Sequence, residues 1–427
     1  MSGAGEPATA GAAAEPEQRV SWLELFFDLV VVAAVAQLAG RLEEDPTLTG
    51  MGVFVVLYAA VWMSWTSFTL YANVSAGAPR QRAFLYAMGA MAVMAAAIPE
   101  VTTERAQAFA VAYIIVRVIA QRVFHRTHKV VVVWSSAQAA YLAPWVASLF
   151  VDDGAWRYGL WAFGLLMEFA LSVARGGNPA FVLAQAQRQE DHESARRNRR
   201  DARRRAAGVP VSAPPITGRV STATLNLGHL AERLGLFVII VLGEAVAQLI
   251  GAAAHADWTH GRELAGAAGL VLLVGLWSLI FRYGFISVPQ FAVTSLPPRL
   301  ALPIHFFTTG AITAVAVGLG TATHEAATPL PTTMRWVLCG GVGVYFLVTA
   351  VGAFATDAPP HWLLGWALPS VAVPAVVGAA GGGLPAWAVA ALMTVVVLWQ
   401  VFYVPMRDGW TRWRAGDRPG RPAAART

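Results

Sequence analysis

Apolar runs separated by short polar stretches occupy nearly the whole chain. Each is close to the ~20 residues that a helix needs to cross the hydrocarbon core of a bilayer. Twelve such runs can be placed, at about residues 22–42, 49–71, 82–99, 106–124, 130–150, 155–176, 228–254, 262–284, 300–320, 333–354, 361–379 and 384–405. The pattern predicts an all-α, polytopic membrane protein with about twelve transmembrane helices.

The runs fall into two sets of six. Residues 21–40 (SWLELFFDLVVVAAVAQLAG) and 232–251 (ERLGLFVIIVLGEAVAQLIG), offset by 211, are identical at ten of twenty positions, Gln37 and Gln248 among them. An offset of 212 pairs Trp65 with Trp277 and Tyr71 with Tyr283 in the next run of each set. Six is even, so both sets enter the bilayer the same way, which predicts two parallel six-helix repeats. The boundaries read as a tail (1–20), a first repeat (21–186), an Arg/Pro-rich linker (187–227), a second repeat (228–406) and a basic tail (407–427). Residues 1–18, of Ala, Gly, Glu and Pro type, lack the features of a signal peptide and are expected to be disordered and uncleaved. The connector RQEDHESARRNRRDARRRAAGVPVSAPPITGR (188–219) is likewise expected to be disordered.

Composition agrees with the pattern: 56% of the 427 residues are hydrophobic and 13% charged, against about 25% charged in soluble domains. The formal charge of +6 is not evenly spread. Arg80, Arg82, Arg122, Arg126, Lys129 and the linker arginines fall on one side if loops alternate, while Arg41, Arg105, Arg157, Arg262 and Arg335 fall on the other. The positive-inside rule then places both termini in the cytoplasm. Trp22, Tyr71, Trp134, Trp156, Tyr158, Trp258 and Tyr403 are expected at the membrane interfaces. The basic linker is expected to meet anionic lipid. Nucleic acid is not an expected partner, since neither interleaved aromatics nor a binding fold accompanies the arginines.

Reaction motifs are missing. The sequence contains no G-x-x-x-x-G-K-[ST] phosphate loop, no H-E-x-x-H and no G-x-S-x-G. His125 and His128 stand beside Arg126 and Lys129, where cationic surroundings disfavour a metal, and Cys339 is the lone cysteine, so neither a disulfide within the chain nor a cysteine metal cluster can form. Neither enzymatic activity, a metal nor a cofactor is expected.

Polar residues inside apolar runs carry the candidate chemistry, because an ionised group at the bilayer centre costs roughly 2.5–3.5 kcal/mol on insertion scales. The candidate transport or proton site comprises Asp28 with Glu24 four residues before it, Glu244 with Gln248 one turn on, Arg117 and Glu168. A second cluster, His229, Glu232, Arg233 and His305, stands at the cytoplasmic entrance. Asp28 and Glu244 could share a proton-accessible pocket between the repeats, with Arg117 tuning their ionisation; the alternative is a set of internal ion pairs. Gly235, Gly243 and Gly251 suit close helix approach or hinging. The leading expectation is a proton-coupled secondary transporter of unknown solute. The alternatives are an ion channel and a non-transporting scaffold that responds to lipid.

The segments ELFFDLVVV (24–32), FAVAYIIVRVI (109–119), GHLAERLGLFVIIVLGEAVAQL (228–249), IHFFTTGAITAVAVGLG (304–320) and GVGVYFLVTAVG (341–352) resemble the bacterial low temperature requirement A proteins, in that family's order. The resemblance implies a polytopic inner-membrane protein tied by name to growth in the cold, and implies no particular reaction. Phe27-Asp28 and the two-half layout are also similar to the two-repeat lysosomal-type potassium channels with their F-S-D-G opening, although Leu29 replaces the glycine.

Overall fold

The computed structural model describes residues 20–75, 81–125, 127, 129–130, 139–152, 154–175, 179–208, 220–223, 225–254, 257–284, 298–354 and 363–414. The tail 1–19, Trp134, Arg126, His128, residues 209–219 of the linker and residues 415–427 lie outside them.

Six helices precede the linker region: α1 (Trp22–Glu44), α2 (Leu48–Val74), α3 (Gln81–Ala97), α4 (Ala106–His125), the short α5 (Ala143–Ala147) and α6 (Gly154–Arg175). The polar α7 (Pro179–Ala206) follows. Then come α8 (Leu227–Ala254), α9 (His260–Tyr283), α10 (Pro298–His324), α11 (Thr332–Phe354), α12 (Leu368–Ala380) and α13 (Ala386–Arg414). The starts are written into the sequence. Ser21, Thr47 and Thr259 accept hydrogen bonds from backbone N–H groups in the first turns of α1, α2 and α9, and the Asn226 side chain accepts from the His229 N–H at 3.0 Å at the start of α8.

Among the described residues, nine helices are long and apolar enough to cross a membrane. The twelve-run reading is finer than this. α3, with 17 residues, and α6 are helical but fall outside the nine. The described part of the fifth run, residues 139–150, is not one continuous helix but two 3₁₀ turns flanking α5. Pro144, in the first turn of α5, offers no N–H to a helix continuing from before it.

The linker also departs from expectation, since residues 188–206 continue α7 instead of forming an unstructured connector. Ala, Arg, Gln and Glu are good helix formers, and the surface is laced by bonds from Gln187 to Asp191 (2.9 Å) and from Arg197 to Glu190 (2.8 Å). A two-residue parallel pairing sets Lys129–Val130 beside Ser221–Thr222, and Gln187 accepts from the Val220 N–H at 3.0 Å.

Packing partners recur in order along the chain. α1 packs on α2 and α3, α3 on α4, and α5 on α6; after the linker, α8 packs on α9 and α10, α10 on α11, and α12 on α13. α2 and α10 are the most enclosed of the crossing helices, and they meet through Tyr58, whose hydroxyl lies 2.5 Å from that of Thr309. Large apolar side chains such as Phe26, Leu29, Val274 and Phe281 point outward, which suits a lipid-facing surface.

Of the proposed interfacial aromatics, Trp22, Trp156 and Trp258 are exposed. Tyr71 is not. It is buried against Phe68, Phe84 and Phe124, because it stands on the inward face of α2. The glycines that permit close helix approach also differ from those expected. A Cβ at Gly235, Gly243 or Gly251 would meet nothing within 4 Å, whereas one at Gly318 would lie 2.5 Å from Leu338 Cβ and 2.8 Å from its Cα. At Gly341 it would lie 3.0 Å from the Ala311 carbonyl oxygen. α10 and α11 therefore touch backbone to backbone. Gly318→Val is expected to cost about 1–3 kcal/mol by overpacking, read as a lower unfolding midpoint in detergent, while Gly243→Ala, with room for its Cβ and the better helix former, should not lower the midpoint.

Candidate functional site

Where α1 and α8 begin, four ionisable side chains interlock. On an α-helix residues four apart share a face, so Glu24 and Asp28 of α1 form two rungs, and His229 and Arg233 of α8 form the opposing two. Arg233 Nη2 donates to Asp28 Oδ1 at 2.9 Å, and its Nη1 lies 3.6 Å from Glu24 Oε2. His229 Nε2 lies 3.3 Å from the same Glu24 oxygen. Asp28 and Arg233 are both 0% exposed.

α2 runs antiparallel to both and supplies a third set of rungs at the same spacing. Trp65 Nε1 donates to Asp28 Oδ1 at 2.7 Å, and Thr69 Oγ1 accepts from Arg233 Nη2 at 3.4 Å. Asn73 Nδ2 donates to the Asn226 carbonyl at 2.8 Å and lies 3.3 Å from His229 Nδ1, while its oxygen accepts from the Asn226 N–H at 2.9 Å. With the Asn73 amide assigned by this network, Nδ1 of His229 accepts and Nε2 carries the proton toward Glu24. Ser21 completes the Glu24 environment by donating to Oε1 at 2.8 Å.

The ladder is incompletely bonded. Among the described residues, Glu24 Oε2, Asp28 Oδ2, His229 Nε2, Arg233 Nε and Arg233 Nη1 are buried without a hydrogen bond of proper geometry, although buried polar groups are as a rule satisfied. Formally, Glu24 and Asp28 outweigh Arg233 by one negative charge when His229 is neutral. One proton would balance the set.

His305 closes the next layer. Trp62 Nε1 can only donate, so His305 Nδ1 accepts from it at 3.1 Å, and Nε2 then donates to the Leu234 carbonyl at 3.1 Å. The ring stacks on Trp65, centroids 5.3 Å apart. His305 is thus a satisfied connector of α2, α8 and α10, one ring away from Asp28.

The remaining candidates stand elsewhere. Arg117 of α4 pairs with Glu168 of α6 and donates to the Met63 carbonyl at 3.1 Å and to the Ser67 hydroxyl, both on α2. Neither Arg117 nor Glu168 has a buried atom without a partner among the described residues. Glu244 is half-buried and accepts from Gln248 Nε2 at 3.3 Å. It lies eleven residues beyond Arg233, about 16 Å along α8. The structure therefore does not bring Asp28, Arg117 and Glu244 together: Arg233 occupies the place expected of Arg117, and Glu24 that of Glu244. Glu232 also leaves the expected cluster, because it points outward, about 100° around the helix from Arg233.

Sequence patterning does not single out Trp65, Thr69 and Asn73 as site residues. Their signal is the four-residue spacing of polar or N–H-bearing side chains on a mostly apolar helix, the same spacing that marks Glu24/Asp28. No group of His, Cys, Asp and Glu side chains with metal-binding proximity occurs among the described residues.

The chain was compared with family models, curated proteins and solved structures. The model of the bacterial low temperature requirement A protein (LtrA) family matches residues 19–401. Searches of curated proteins and of solved structures return no match. A match over nearly the whole chain, spanning both sides of the Glu24–Asp28–His229–Arg233 ladder, shows that this multi-helix membrane protein belongs to the LtrA family.

Proposed function

We propose that the protein is a proton-coupled secondary transporter of the inner membrane, built as two parallel six-helix repeats, in which Glu24, Asp28, His229 and Arg233 form the proton site. The observation that carries this reading is the buried, incompletely bonded ladder of two carboxylates, one guanidinium and one imidazole between α1 and α8. Buried ion pairs are poor stabilisers for the desolvation they demand, so stability is a weak reason to keep four such groups together. Ionisable groups inside membrane helices mark ion and proton pathways more often than ornament.

The repeat reading draws support from the packing order, in which α1, α2 and α3 correspond to α8, α9 and α10. Termini on the cytoplasmic side fit the use of the arginines. At the end of the bundle away from the ladder, Arg105 donates to the Ala96 carbonyl, Arg157 to Val151, Arg262 to Thr323 and His324, and Arg335 to Gly378. These cations cap backbone carbonyls, and the uncommitted positive charge gathers at the opposite end, as inside-facing loops require. The exposed arginines of α7 suit an anionic lipid surface.

A second reading, the non-transporting scaffold, draws on the Arg117–Glu168 pair and on His305, which are satisfied as purely structural polar groups would be. Recording from proteoliposomes on a solid-supported membrane separates the readings. The panel is amino acids, sugars, organic acids and alkali cations, each presented with and without a pH gradient. Wild type is expected to give a gradient-dependent transient current with one solute class. Asp28→Asn should abolish it, and Glu244→Gln should retain it. Silence across the panel, or equal currents in wild type and Asp28→Asn, would overturn the transporter reading; sustained currents far above transporter turnover would indicate a channel.

A further inference from the structure

A groove of about 670 Å³ opens between the start of α3 and the end of α4, lined by Gln81, Arg82, Tyr86, Ile119, Arg122 and Val123. Arg82 is in the first turn of α3 and Arg122 in the last turn of α4, so the two guanidiniums flank the groove at one end of an antiparallel helix pair. Both are exposed, and neither makes an ion pair or hydrogen bond among the described residues. This contrasts with the far-end arginines, whose donors are taken up by carbonyls.

The groove changes character with depth. One turn inward from the arginines stand Tyr86, 68% exposed, and Ile119, and Leu85 beside them also faces outward. Two unneutralised cations at the helix ends above an apolar, outward-open channel match the layout of a phospholipid, with its charged headgroup at the interface and its acyl chain below. A free anion would use the arginines and leave Tyr86 and Ile119 without a purpose.

We propose that this groove is a binding site for an anionic glycerophospholipid, with Arg82 and Arg122 holding the phosphate and Tyr86 and Ile119 lining the path of one acyl chain. A guanidinium offers several donors in a planar fork suited to phosphate oxygens. The site is separate from the proton ladder and from the basic helix α7. It does not depend on the transporter reading.

The test is equilibrium binding of a fluorescent short-chain phosphatidylglycerol to the detergent-solubilised full-length chain, with phosphatidylcholine of the same chain length as reference. Wild type is expected to favour phosphatidylglycerol. Arg82→Gln/Arg122→Gln should weaken that binding by about tenfold or more, since each interfacial cation contributes on the order of 1 kcal/mol toward anionic lipid. Arg82→Lys/Arg122→Lys should retain most of it, which also guards against misfolding as the cause of a loss. Undiminished binding by the Arg82→Gln/Arg122→Gln variant overturns the proposal. Full displacement of the lipid by millimolar inorganic phosphate would overturn it too, because the site would then be one for a free anion.

Discussion

Replacing Arg233 by Met is expected to destabilise the protein by about 3–5 kcal/mol, the cost of breaking a buried ion pair on one side only. Arg233 is 0% exposed and is the one guanidinium in contact with Asp28 and Glu24 among the described residues, so its removal strands two carboxylates in an apolar surround. The triple variant Glu24→Gln/Asp28→Asn/Arg233→Met, which strands no charge, is expected to recover most of that loss. Trp65 can still donate to the amide oxygen that replaces the Asp28 carboxylate, since an amide keeps one acceptor. Both are measurable as unfolding midpoints in mixed micelles on raising the SDS fraction. A loss below about 1 kcal/mol for the single variant would mean that water already reaches the ladder and screens it. On the proposed transporter reading, the triple variant should be stable and yet give none of the gradient-driven current, which would separate a part in folding from a part in transport.

Glu168→Gln is expected to cost a similar amount, again about 3–5 kcal/mol, since Arg117 would keep its bonds to Met63 and Ser67 and lose its countercharge. The paired replacement Arg117→Met/Glu168→Leu carries the sharper expectation: near wild-type stability and undiminished current. Its physical basis is that this pair is bonded within itself and against α2, with no buried atom left over among the described residues. A stable double variant without current would place Arg117 and Glu168 in the transport pathway, as their positions inside apolar runs suggest. Double-mutant comparison is needed because the single changes report an unpaired charge and not the worth of the pair.

Several parts of the architecture are legible in the sequence because they depend on local patterning. Apolar runs of near-spanning length and the four-residue interval of Glu24 and Asp28 are properties of one helix each. The membership indicated by ELFFDLVVV and by GHLAERLGLFVIIVLGEAVAQL is equally visible, since those motifs are contiguous. Residue type alone misleads in two places. The charge of residues 188–206 suggests an irregular connector, but their helix propensity prevails. Tyr71 is of a type common at the membrane surface, but the face of α2 on which it stands looks onto Phe84 and Phe124.

Local patterning is enough to identify a helical membrane protein, the ionisable side chains inside its apolar runs, and the shared face of Glu24 and Asp28. Their partners come from helix packing. Periodicity fixes the direction in which a side chain leaves its own helix and carries no information on which other helix arrives there or at what depth. Arg233 and His229 meet the two carboxylates because α8 enters beside α1 at the same level, about 16 Å short of Glu244, and Arg117 is held away by Glu168 and the backbone of α2.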